Sequence, residues 1–206
     1  MSLLSSDAAS LLLEPFNPII RGILDDSWQK CRALQAADFE FGNICSTRTR
    51  ACIVHDYITN LVPQRFAEAI ASGRVTYSFE KYGFPVVNIE GKVLLRFKKL
   101  DEDGLPSNIP TNRQTSIQHQ RTMFDDFGEG GTWLVAGYQT TDGVAITSSV
   151  SCFIGDRALW TLPLLQPADV DTIQMDHARA KDEDKEVRLP KIRTKNKRNL
   201  ETGTDT

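Results

Sequence analysis

Nowhere do apolar residues run long enough to cross a bilayer. A spanning helix needs about 18–20 of them in succession, and runs such as Leu11–Leu13 are far shorter. No membrane span is expected. Cysteine is also scarce: Cys31, Cys45, Cys52 and Cys152 are too few and too scattered for a disulfide scaffold, and none forms a C-x-x-C pair of the zinc or redox kind. They read as buried free thiols. The opening Met-Ser-Leu-Leu-Ser-Ser-Asp has neither a basic region nor a small-residue cleavage site, so a cytoplasmic location is expected. Missing too are a P-loop, Gly-x-Gly-x-x-Gly, His-Glu-x-x-His and Gly-x-Ser-x-Gly, which disfavours the well-marked enzyme classes. No cofactor or metal-ligand set is assigned.

What is present is enough for one core. With 206 residues, 40% of them hydrophobic, the chain fits one domain better than two. Its net charge of -3 hides a division: residues 176–206 carry +2 and residues 1–175 carry -5. The stretch Val187–Arg198 holds six basic residues and no acid. A segment so poor in apolar residues cannot offset its ordering entropy, so 176–206 reads as a disordered charged tail behind a domain at 1–175. The tail is either a solubilising appendage or a basic arm for nucleic acid or an acidic partner.

Within the domain, Ile19, Ile20, Ile23, Leu24, Trp28, Cys31 and Leu34 recur at spacings of a helix face, with Asn17 as cap and Pro18 as first helical residue. A second helix is expected from Ser46 or Thr47 to Ser72, with Val54, Ile58, Leu61 and Ala69 as its stripe, Gly73 as its stop and Pro63 kinking or dividing it. From Arg74 the pattern becomes that of strands: Val75–Lys81, Phe84–Ile89 and Val93–Leu100, the last two joined by a tight Glu90-Gly91 turn. Residues 101–111 read as an irregular link and Asn112–Met123 as a short polar helix. Thr132–Leu164 reads as three more strands, turning at Thr141-Asp142-Gly143 and Gly155-Asp156, with Trp133, Val135, Val150, Phe153 and Trp160 in the core. The expected fold is α+β: two N-terminal helices on one face of a curved, mainly antiparallel sheet of about six strands.

Four groupings bear on chemistry. On the second helix Arg48, Cys52 and His55 lie near one line and Asp56 follows. His55 and Asp56 are the candidate catalytic pair, His55 as general acid or base with an arginine holding an anionic oxygen. The plain alternative is the polar edge of an amphipathic helix. A Cys52–His55 nucleophile pair lacks an identifiable orienting third group.

In Val93–Leu100 the alternation of side chains puts Arg96 and Lys98 on one side and Leu95, Phe97 and Lys99 on the other, a cationic face flanked by Asp101, Glu102 and Asp103. Glu90-Gly91-Lys92 matches the short Glu-x-Lys element of metal-dependent nucleases, although a hairpin tip explains it better. Asn108–Gln114 adds Arg113 and Gln114 on a loop, either gripping phosphate beside Arg96 and Lys98 or capping the helix that follows.

Arg50–Tyr57, Leu94–Glu102, Asn108–Thr111 and Val135–Tyr138 resemble segments of uncharacterised bacterial proteins. Those proteins are encoded beside regulators that pair a helix-turn-helix protein with an ImmA/IrrE-type metallopeptidase. The resemblance covers about Arg48–Leu164, implies no catalytic residue, and implies a toxin–antitoxin or phage-defence setting. The expected function is therefore a component of such a module, binding or acting on nucleic acid through Arg48, Arg96, Lys98, Arg113 and Gln114. The alternative is a non-enzymatic regulator that binds a protein partner from a neighbouring gene. A third reading is a nuclease-type toxin using His55, Asp56 and a metal.

Overall fold

The computed structural model of the chain describes residues 3–79, 84–106, 115, 117, 119, 131–141 and 143–165. The first helix, α1 (Ser6–Leu13), was not foreseen from the sequence; Ser5 caps it, its hydroxyl accepting from the Ala8 amide at 3.3 Å. In α2 (Asn17–Ala37) the cap is Phe16 rather than Asn17, with Pro18 in the first turn. Packing decides this boundary. Phe16 is buried against Phe66, ring centroids 6.1 Å apart, and its carbonyl accepts from Ile20 at 2.9 Å.

A short α3 (Phe39–Ile44) follows, capped by Asp38, and buries none of its residues. Ser46 then caps α4 (Thr47–Arg65), its hydroxyl accepting from Thr49 at 3.1 Å. This helix continues past Pro63 and ends at Phe66, after which α5 (Ala67–Ala71) completes the helical part, so the expected second helix is divided near the proline. Pro63 removes one backbone donor without ending the helix at its own position.

Six strands follow: β1 (Val75–Ser78), β2 (Val86–Ile89), β3 (Val93–Lys99), β4 (Thr132–Thr141), β5 (Ala145–Ile154) and β6 (Arg157–Pro163). They form one open sheet in sequence order. β1–β2–β3 and β4–β5–β6 are antiparallel meanders, and β3 pairs with β4 in parallel, Leu95 opposite Leu134 and Lys99 opposite Tyr138. The α+β class and the mainly antiparallel sheet hold. The β2–β3 turn spans residues 90–92 between the paired Ile89 and Val93, has positive φ at both Glu90 (51°) and Gly91 (69°), and is closed by the Lys92 amide donating to the Ile89 carbonyl at 3.0 Å. Glu90 is bound to Arg74 at 2.8 Å, so Glu90-Gly91-Lys92 is a hairpin tip.

The main core lies between the helices and one face of the sheet. Ile20, Ile23, Leu24 and Trp28 of α2 and Val54, Ile58, Leu61 and Val62 of α4 meet Val87, Val93, Leu95, Phe97, Leu134 and Val150. The opposite face carries two further apolar clusters, Val86, Leu94, Ile117 and Trp133 in one and Leu100, Val135 and Phe153 in the other, with Phe84 and Leu105 packed against them. Of the expected core residues, Val150 and Trp160 serve the helix side and Trp133, Val135 and Phe153 the other.

Met1–Leu165 form one compact unit. The charged tail and the polar stretch at 112–123 lie outside the described residues, apart from Thr115, Ile117 and His119. Among the described residues no helix is long and apolar enough to cross a membrane.

Candidate functional site

Because α4 turns its apolar stripe down onto the sheet, its next stripe, Arg48, Cys52, His55 and Asp56, looks sideways along the sheet edge. β2 stops pairing with β3 at Val86–Arg96, so residues 97–99 have β4 on one side and no strand on the other among the described residues. A cleft of about 730 Å³ lies there between α4 and the end of β3, within the usual size of a small-molecule site. Thr47, Arg48, Ala51, Cys52, His55, Asp56 and Ile58 line one wall; Phe97, Lys98, Lys99, Leu100, Asp101 and Tyr138 line the other.

Three cations, Arg48, Lys98 and Lys99, and two acids, Asp56 and Asp101, line the cleft over an apolar floor. Phe97 and Tyr138 are buried, Lys98 and Lys99 half-buried, and Arg48 exposed at the mouth. Burial, and then the charge of Arg96, pull the Lys98 ammonium down to about 8. His55 is half-buried; burial lowers its pKa, Asp56 opposes that and Lys98 adds to it. The imidazole is therefore mainly neutral at pH 7. Asp101 is not a free acid in this wall, because its Oδ1 accepts from the amides of Asp103 at 3.1 Å and Leu105 at 2.8 Å, holding the turn after β3.

Not every residue expected at the site is there. Lys98, Arg48, His55 and Asp56 converge, but Arg96 is 2% exposed and does not line the cleft. The expected cationic surface at Arg96 is thus corrected: this face of β3 is covered, Arg96 lying in register between Val86 and Val135 with its guanidinium 5.5 Å from the Phe84 ring. Burial lowers it to about 10, which leaves it charged near neutrality. Arg113 and Gln114 lie outside the described residues.

The catalytic reading of His55 gains no orienting group. Among the described residues neither Asp56 nor Cys52 hydrogen-bonds the imidazole, and the Asp56 carboxylate is exposed. Nor do three His, Cys, Asp or Glu side chains there gather as a metal site. Lys99 and Tyr138 belong to the cleft without having been singled out. The signal for Lys99 was its alternation with Leu95 and Phe97, which places it on the helix side. Comparison with protein-family models, curated proteins and solved structures returns no match for this chain.

Proposed function

We propose that the cleft between α4 and β3 binds a small anion with an apolar body, and that the chain acts as a binding protein rather than through catalysis. The observation that carries this is the convergence of Arg48, Lys98, Lys99 and His55 over a floor of Phe97 and Tyr138 in one concave site. An excess of cations, Arg48, Lys98 and Lys99 against Asp56 and Asp101, set above buried aromatic surface favours a ligand that is negative at one end and flat or greasy at the other.

The same geometry narrows the nucleic-acid reading. Duplex binding draws on rows of phosphate contacts over a broad face. With Arg96 buried, Arg48, Lys98 and Lys99 sit in a hollow that takes a unit of nucleotide size, free or as the end of a single strand. In the toxin–antitoxin or phage-defence setting that the resemblance implies, such a pocket would make the chain a receptor for a nucleotide or strand end.

Calorimetric titration tests the proposal. Phenyl phosphate and phenylacetate should bind with one site per chain, benzylamine should not, and Lys98→Met should weaken the anions about tenfold or more. Equal binding of anion and amine, or none of either at millimolar concentration, would refute it.

A second reading, the regulator that binds a protein partner, is favoured by α3, where Phe39 is 81% and Ile44 75% exposed beside a helix that buries nothing. Exposed large apolar side chains are the ordinary material of a protein contact. Co-purification with a neighbouring gene product that is lost in Phe39→Ser/Ile44→Ser would support it.

A further inference from the structure

Behind the cleft lies a second, smaller chamber of about 130 Å³. Thr47, Ala51, Lys99 and Tyr138 border both spaces, and Trp28, Arg50, Thr140 and Gly143 complete the chamber. The β4–β5 turn beside it is tied to α2, the Val144 carbonyl accepting from Trp28 Nε1 at 3.2 Å and from Arg32 at 2.7 Å.

Two of the lining residues are cations, Arg50 and Lys99, and among the described residues no acid lines it. Neither takes part in a salt bridge among the described residues, where the pairs are Arg21–Asp25, Arg65–Asp26 and Arg74–Glu90. Arg50 Nε is buried and has no hydrogen-bond partner there. An anion seated between two half-buried like charges that face one small space is attracted by both. Thr47 and Thr140 add hydroxyls. The buried Tyr138 phenol, its pKa raised by burial first and then by Cys31 and Cys52, stays protonated and is a further donor.

We propose that this chamber is a phosphate subsite and that the ligand of the cleft is a phosphomonoester. The inference rests on the cleft reading above and deepens it. Charge decides against a carboxylate. A phosphomonoester carries roughly -1.5 to -2 near neutrality and matches the two cations, whereas a carboxylate leaves one of them uncompensated. Arginine supplies several N–H groups in a fixed fork and lysine three more, which with the hydroxyls suits an acceptor of three oxygens. The volume corresponds to about four waters at roughly 30 Å³ each, room for the four heavy atoms of a phosphoryl group. The ester oxygen then leads out between Lys99 and Tyr138, and the body of the ligand lies over Phe97 beside His55 and Lys98. The phosphate comes either from a free nucleotide-like molecule or from the terminus of a strand.

The test is calorimetry and phosphorus NMR on the full chain, with inorganic phosphate, phenyl phosphate and phenylacetate as probes. Inorganic phosphate should bind at one site per chain. Arg50→Gln and Lys99→Gln should each weaken it and phenyl phosphate by tenfold or more, and Lys99→Arg should retain most of the affinity. Lys92→Gln, at the distant hairpin tip, should change nothing. Thermal melting without phosphate checks folding, and Lys99→Gln carries the test if Arg50→Gln does not fold.

Phosphate binding that is absent, or indifferent to both substitutions, overturns the subsite. If phenyl phosphate and phenylacetate then bind equally well and depend on Lys98 alone, the cleft reading survives and only the phosphate assignment falls. If no aromatic anion binds, both fall. A nucleoside 5′-monophosphate compared with a 5′-phosphorylated dinucleotide separates the two sources, the dinucleotide binding at least as tightly only if a strand end is the ligand.

Discussion

The Leu100 side chain lies directly over the bare Cα of Gly137, so close that a Cβ on residue 137 would sit 2.5 Å from both Leu100 Cγ and Cδ1. This contact fixes how β3 and β4 close one end of the cleft, because the Leu100 amide also donates to the Tyr138 carbonyl at 2.8 Å. Gly137→Ala should therefore cost about 1–3 kcal/mol, the usual range for an overpacked core, and Leu100→Ala on that background should recover part of the loss. Urea denaturation measures both. A change below about 0.5 kcal/mol would mean that Leu100 moves aside freely.

Lys98 should make stability depend on alkaline pH. Its folded-state pKa of about 8 lies below the roughly 10.4 of an unfolded chain, so between those values the unfolded form holds more protons and stability rises with pH. Below pH 8 the charged amine is held at full cost. Lys98→Met should accordingly be more stable than the wild type at pH 7, by on the order of 1–3 kcal/mol, and lose that advantage by about pH 10.5. Denaturation at the two pH values decides; a variant without advantage at pH 7 would argue that Lys98 is well solvated.

His55 acts at the acid end. Burial lowers its pKa beyond what Asp56 restores, so as pH falls through the usual imidazole value the unfolded chain takes up a proton first and the fold loses stability. His55→Gln should flatten the decline between pH 7 and 5. An unchanged slope would place the imidazole in water.

Thiol chemistry should separate the four cysteines. Cys52, on the cleft wall, is exposed, whereas Cys31, Cys45 and Cys152 are buried. Burial raises the Cys31 thiol and pushes Cys152 up to about 11. A disulfide reagent should find one fast thiol per native chain and three that react only on unfolding. Cys52→Ser should abolish the fast phase, and phenyl phosphate should slow it. Two or more fast thiols would show that the helix packing opens readily.

Much of the fold is legible in the chain because it is local. Ser46 before an apolar periodicity marks the start of α4, and Glu90-Gly91 between two β-rich runs marks a hairpin. The surroundings of Arg96 are not local. Alternation tells which side of β3 it takes, but whether that side is covered depends on Phe84, on Ile117 and on Trp133 and Val135, which arrive through the parallel pairing of β3 with β4. The site divides in the same way. Arg48, His55 and Asp56 share one helix and can be grouped from spacing alone, whereas Arg50, Lys99 and Tyr138 meet only once α4 lies across the sheet. Short α3, with no buried residue, offers no periodicity to read.

The most direct measurement is the anomalous diffraction of bromine in crystals soaked with 4-bromophenyl phosphate. A single bromine peak is expected in the cleft over Phe97, between His55 and Lys98, with the phosphoryl group in the chamber at Arg50 and Lys99. A fully occupied bromine elsewhere on the chain, or an empty cleft at saturating ligand, would contradict it.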